Sequence, residues 1–123
     1  MNEIKKIYYA HPISIYDTPQ EERDLDLIKQ LWPDAEIYNP NTKEDQLGYK
    51  RDGFDWFLNR VEECQLVVFR AFPDGKIGAG VWSEINWGDV QCHIPIIEIP
   101  MLMESRKLSI DDTREYLKHA GKR

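Results

Sequence analysis

The residue of this sequence best placed to do chemistry is a glutamate in apolar surroundings. Glu84 sits in the stretch Gly78-Ala79-Gly80-Val81-Trp82-Ser83-Glu84-Ile85, downstream of the turn signal Phe72-Pro73-Asp74-Gly75. Val81, Glu84, Ile85 and Gly88 fall at i, i+3, i+4 and i+7, so on a helix they share one face. That spacing puts a carboxylate among inward positions, about one turn from a helix start that carries partial positive charge. The field there is expected to favour the ionised form, the state in which a carboxylate acts as a nucleophile. The small residues Gly78, Ala79 and Gly80 would let backbone come close to a ligand at the same helix end. A structural reading stands beside this one. Acids are common in first helical turns for dipole reasons, and glycine-rich turns join many strands to helices.

The elements that must position Glu84 can be read in order. Ile4 to Ala10 reads as a first strand, stopped by Pro12 in His11-Pro12-Ile13-Ser14. Thr18-Pro19-Gln20-Glu21 is a helix start with proline at the first helical position, continued at helical spacing by Leu25, Ile28, Leu31 and Trp32. Ala35 to Tyr38 is a short second strand closed by Asn39-Pro40-Asn41. Residues 41–52 are polar and read as a mobile loop of functional length. A helix with Phe54, Phe57, Leu58, Val61 and Cys64 on one face follows, then Leu66 to Phe69, apolar throughout as a central parallel strand is. After the Glu84 helix, Ile94 to Ile99 forms another strand, whose Pro95 marks a strand start or a sheet edge. A short strand within Leu102 to Leu108 is left open, and Ser109-Ile110-Asp111-Asp112 opens a last helix to about His119.

Strands alternating with helices predict right-handed crossovers and a parallel sheet covered on both faces. The expected fold is a single three-layer α/β domain over residues 1–123, of Rossmann-like or flavodoxin-like layout, with four or five mainly parallel strands. Ligands of such sheets bind at the carboxyl ends of the strands, where strand order reverses. His11, Asn39, the 73–80 loop and the segment after Ile99 lie at those ends. His11 could contact a base or phosphate, or satisfy loop carbonyls. Asn39 could contact a ligand or cap its turn. Trp82 and Trp87 could stack on a base, pack in the core or build a subunit interface.

Composition excludes several classes. With 16 basic and 22 acidic residues the net charge is −6, which argues against nucleic-acid and anionic-membrane partners. Hydrophobic content of 41% and charged content of 31% suit a globular domain of 123 residues. No apolar stretch approaches the roughly 20 residues of a membrane helix, and no signal peptide is expected, because Met-Asn-Glu-Ile-Lys-Lys runs straight into the first strand. Cys64 and Cys92 have no metal or redox spacing and are read as thiols of a reducing cytoplasm; His11, His93 and His119 form no cluster that spells zinc.

Taken with their order, Lys6-Ile7-Tyr8-Tyr9-Ala10, Tyr38-Asn39-Pro40, the helix before Leu66-Val67-Val68-Phe69, and Gly78-Ala79-Gly80-Val81-Trp82-Ser83-Glu84-Ile85 resemble the nucleoside 2-deoxyribosyltransferase-like superfamily, which includes the deoxynucleoside-monophosphate N-glycosidases. The resemblance runs to about residue 100. It implies a glutamate that attacks the anomeric carbon of a 2-deoxyribosyl group and displaces the base, after which a second base or water releases the sugar. An N-glycosidic bond breaks through an oxocarbenium-like state that a carboxylate can stabilise and then trap. By position, the resemblance makes Glu84 the nucleophile and Tyr8 the residue that helps hold it. Asp55 would orient sugar hydroxyls or handle the proton on the leaving base. Gly78, Ala79 and Gly80 would receive sugar or 5′-phosphate oxygens. Two departures stand out. Family members tend to read Gly-x-Gly-x-Glu, whereas Gly80 and Glu84 are four apart; Asp55 also lies further before its strand than the family acid, leaving Asp52, Glu62 and Glu63 as alternatives. The resemblance further implies no cofactor, a small nucleoside or nucleotide as partner, and a homo-oligomer, since a neighbouring subunit often completes the family site. The alternatives are a non-catalytic binder of a nucleotide-derived ligand and an interaction protein in which Trp82, Trp87 and the long 41–52 loop build an oligomer interface.

Overall fold

The structure, a computed structural model, describes residues 3–99 and 106–107. Four strands form one parallel sheet: β1 (Lys6–Ala10), β2 (Glu36–Tyr38), β3 (Leu66–Phe69) and β5 (Ile96–Glu98), in the order β2-β1-β3-β5. A separate two-stranded parallel ladder joins β4 (Lys76–Ile77) to β6 (Arg106–Lys107). The helices are α1 (Pro19–Leu31), α2 (Lys43–Asp52), α3 (Asp55–Val61) and α4 (Ala79–Asn86), the last continued by a π-helical turn over Trp87–Gln91. No helix among the described residues is long and apolar enough to cross a membrane.

Strand alternation divides the core. Tyr8, Ala10, Val67 and Phe69 face Val61 of α3 with Val81 and Ile85 of α4. Ile7, Tyr9, Leu66 and Val68 face Ile28 of α1. One residue row crosses the sheet on the first face, Tyr38–Tyr8–Val67–Ile96, each in register with the next. Order reverses between β1 and β3, so the C-terminal ends of these two strands flank the switch-point crevice where open α/β sheets hold ligands.

Local chemistry explains most boundaries. Thr18 accepts the amide of Glu21 and Pro19 opens α1. Pro95 precedes β5, which lies at the sheet edge, as its missing donor requires. The polar segment 41–52 is a correction: all of it from Lys43 to Asp52 is helix α2 and not a loop. Thr42 caps it by accepting the amide of Asp45, and Gly53 ends it at φ 70°, a backbone angle open to glycine. The segment has no apolar stripe to betray a helix, since Leu47 is 66% exposed and its buried residues are Asp45 and Gly48. The expected helix at 109–119 lies outside the described residues. Of the segment Leu102 to Leu108, only Arg106 and Lys107 are described, and they are strand.

Candidate active site

The candidate site is built on β1. Tyr8 is fully buried, and its hydroxyl donates to Oε2 of Glu84, which is itself 6% exposed on the sixth residue of α4. The i, i+3, i+4 face predicted for Val81, Glu84 and Ile85 is the buried one. The expectation that the helix field keeps Glu84 ionised is overturned. Burial pushes its carboxyl up to about 8, and the Tyr8 hydrogen bond only partly offsets this. The carboxyl stands past the first turn, where the macrodipole has faded, and desolvation dominates. Tyr8 is raised well above the usual phenol range, first by burial and then by the charge of Glu84.

Beside Tyr8 stands a second tyrosine–carboxyl pair that sequence reasoning missed. The Tyr38 ring stacks on that of Tyr8 at 5.4 Å and 18°. Its hydroxyl donates to Oδ1 of Asp45, a side chain only 3% exposed. Asp45 also accepts from Trp56 Nε1 at 3.0 Å and from Thr42 Oγ1 at 2.5 Å. Burial, followed by the Asp45 hydrogen bond, raises Tyr38 above the usual phenol range. The available signal was Thr42 followed three residues later by Asp45, a pattern of helix starts.

The opposite face carries another polar network. Tyr9 donates to Asp24 at 2.6 Å, and Asp24 receives Arg70 Nη2 at 2.7 Å and Gln20 Nε2 at 2.9 Å. His11 stacks on Tyr9 at 3.7 Å, with Nδ1 3.0 Å from the Tyr9 carbonyl and Nε2 2.8 Å from Glu21 Oε2. A carbonyl only accepts, so in the Tyr9 contact Nδ1 is the donor. Burial lowers the His11 pKa, while the Glu21 hydrogen bond works against that.

The structure therefore brings Tyr8 and Glu84 together and leaves the other expected residues apart from that pair. His11 is buried with both ring nitrogens engaged. Asn39 accepts the Asn41 amide at 3.0 Å, closing a turn. Gly78, Ala79 and Gly80 form the start of α4, with Gly78 buried at the N-cap and Gly80 exposed. Asp55 is exposed at the first residue of α3, and no hydrogen bond among the described residues joins it to Glu84. Asp52 pairs with Arg51 at 3.0 Å, Glu62 accepts Trp87 Nε1 at 2.9 Å, and Glu63 pairs with Arg60 at 3.0 Å. Trp82 and Trp87 are half-buried against the Tyr8 face of the core. Cys64 and Cys92 are free thiols, Cys64 raised to about 12 by burial. No group of three or more His, Cys, Asp or Glu among the described residues could hold a metal ion. An open cleft of about 450 Å³ along α2 is lined by residues such as Thr42, Lys43 and Leu47, not by Glu84.

A four-stranded parallel sheet with helices on both faces defines the class: a Rossmann-like α/β fold. A solved structure shares it. The 2-desoxiribosyltransferase from Leishmania mexicana matches at a TM-score of 0.52 and 14% identity, over 76% of this chain and 63% of that one. The CMP N-glycosidase BcmB of Clostridium botulinum gives a TM-score of 0.48 and 17% identity, over 95% of this chain and 98% of that one. The present chain thus spans about 63% of the length of the transferase. No family model matches the sequence. No curated protein matches it either.

Proposed function

We propose that this protein carries out N-glycosyl transfer or hydrolysis on a 2-deoxynucleoside or its 5′-monophosphate, through Glu84 and without a cofactor. The observation that carries the reading is the buried Tyr8–Glu84 hydrogen bond on β1, a strand that flanks the switch point. The fold likeness to a protein described as a deoxyribosyltransferase supports it. In the reaction, an ionised Glu84 oxygen attacks C1′ as the C1′–N bond breaks, and the electron pair leaves with the base, which takes up a proton. Water or a second base then attacks C1′ and gives up a proton, and Glu84 leaves as the free carboxylate. Tyr8 holds the carboxylate in place, and its donated hydrogen bond favours the ionised form. The developing positive charge on the sugar favours the same form. Asp55 as proton handler, His11 and Asn39 as ligand contacts, and Gly78, Ala79 and Gly80 as donors to sugar or phosphate oxygens belong to this proposal. So do a homo-oligomer and a cytoplasmic setting.

One observation favours a second reading. A carboxyl with its pKa at about 8 is mostly protonated at neutral pH, and a protonated Glu84 is a hydrogen-bond donor suited to holding a nucleotide-derived ligand without turnover. The two readings separate by chromatography of each 2′-deoxynucleoside and each 5′-monophosphate after incubation, with and without a second base. Free base or exchanged nucleoside that disappears in Glu84→Gln supports catalysis. Ligand-induced thermal stabilisation with no product from any of them overturns it in favour of binding.

A further inference from the structure

We propose that Asp45, acting through Tyr38, is a positioning residue for the Tyr8–Glu84 pair. The inference rests on the reading of Glu84 as the working group and extends the site across the sheet to α2.

Tyr38 and Tyr8 are register partners on neighbouring parallel strands, and their rings lie 5.4 Å apart within 18° of parallel. Each hydroxyl ends on a buried carboxyl carried by a helix, Glu84 on α4 and Asp45 on α2. Tyr8 has little freedom to leave Glu84 as long as the ring stacked on it is fixed. Tyr38 is fixed by Asp45.

Asp45 is suited to anchor and not to react. Oδ1 accepts both Tyr38 and Trp56 Nε1, and Oδ2 accepts Thr42 Oγ1, so both oxygens are already engaged by protein donors. Trp56 is immobilised in turn. Its ring lies against Gly48, where an added Cβ would stand 2.1 Å from Cδ2, and the guanidiniums of Arg60 and Arg51 sit 4.3 and 5.3 Å from its centroid. Lys6 Nζ lies 5.8 Å from the centroid of Tyr38 itself. Helix capping does not account for this arrangement. The Thr42 hydroxyl already accepts the Asp45 amide at 3.1 Å, and nothing in a cap requires the Asp45 carboxylate to be buried against a tyrosine of the sheet. What the carboxylate adds is a fixed acceptor for Tyr38 in a low-dielectric setting, where a directed hydrogen bond is strong.

The test follows the titration of Glu84 in the full chain, by NMR of protein labelled at the glutamate side-chain carboxyl carbons, from pH 5 to 10. Wild type is compared with Tyr8→Phe, Tyr38→Phe and Asp45→Asn. Tyr8→Phe removes the bond that holds the Glu84 midpoint down, and so sets the largest upward movement. Tyr38→Phe should move the midpoint upward by roughly half of that or more, and the isosteric Asp45→Asn by less in the same direction. A role confined to stability predicts a lower melting temperature with the wild-type midpoint in both variants, and that result overturns the proposal. If Tyr38→Phe does not fold, Asp45→Asn decides alone. Wherever deoxynucleoside turnover is measurable, Tyr38→Phe should lower kcat about tenfold with KM nearly unchanged. Absence of turnover in wild type would sink the catalytic reading while leaving the titration to decide the relay.

Discussion

Tyr8 and Tyr9, adjacent in the chain, deliver their hydroxyls to carboxyls on opposite faces of the sheet, Tyr8 to Glu84 of α4 and Tyr9 to Asp24 of α1. The two acceptors differ in one respect that decides their chemistry. Asp24 is clasped by the Arg70 guanidinium, whereas no cation pairs with Glu84 among the described residues. A buried carboxyl without a cation keeps its proton until well above the usual range. Glu84 is therefore a group beside β1 whose charge changes near neutral pH.

Activity through an ionised Glu84 should climb with pH. With the carboxyl at about 8, the ionised fraction in the free protein falls roughly tenfold per unit below that value. The expected kcat/KM profile for base release rises from pH 6 and levels off above about 8. A profile that instead falls over the same range would mean that Glu84 works as a proton donor.

Stability should run the other way. The Glu84 carboxyl has an ordinary value of 4.5 and a folded value of about 8. Below 4.5 both states hold the proton and no penalty exists. Between 4.5 and 8 the unfolded chain ionises while the folded one does not, so stability is lost steadily as pH rises. Glu84→Gln keeps an acceptor for Tyr8 and removes the titration. Its stability gain over wild type should be near zero at pH 4.5 and on the order of 3 kcal/mol at pH 7. Urea unfolding at pH 4.5, 6 and 7 measures it, and a gain independent of pH would contradict the raised carboxyl.

Two glycines on either side of the site should respond oppositely to alanine. At Gly48 the new Cβ would lie 2.1 Å from the Trp56 ring, which cannot move without disturbing Asp45. Gly48→Ala should destabilise by about 1–3 kcal/mol, the usual range for overpacking. At Gly80 the nearest atom would be Phe54 Cε2 at 3.8 Å, an ordinary contact. Gly80→Ala, in the first turn of α4, should be neutral or slightly stabilising through helix propensity. Thermal melts separate the two, and a fall in activity without a fall in stability at Gly80 would mark close approach of ligand to this backbone.

The parallel sheet and the inward turn of Glu84 were legible because each rests on a local pattern, whereas the pairing of Tyr8 with Glu84 came only from the family resemblance. Alternation sends Tyr8 and Tyr9 to opposite faces, and helical spacing turns Glu84 inward with Val81 and Ile85. Helix α2 was not legible, because its inward residues are an aspartate and a glycine rather than an apolar stripe. The protonation of Glu84 was hidden for a different reason. A helix-start field is a property of the local chain, but the desolvation that outweighs it comes from β1 and the core packed over it. Asp45 shows the same limit: its role depends on Tyr38 and Trp56, which lie on separate elements.

The network on the far face should prove structural. Asp24 is 2% exposed and accepts Tyr9, Gln20 and Arg70, while the Arg70 side chain remains 17% exposed. Arg70→Met leaves a buried carboxylate without its cation, a change that costs on the order of 3 kcal/mol. Replacing both groups, with Asp24→Leu added to Arg70→Met, removes the stranded charge and should recover much of that loss even though Tyr9 loses its acceptor. A double-mutant cycle by urea unfolding reads the coupling directly. The sheet stands between this cluster and Glu84, so the Glu84 titration midpoint should stay at its wild-type value in Arg70→Met. A shifted midpoint would show instead that the two faces of β1 communicate, and that Tyr8 and Tyr9 move together.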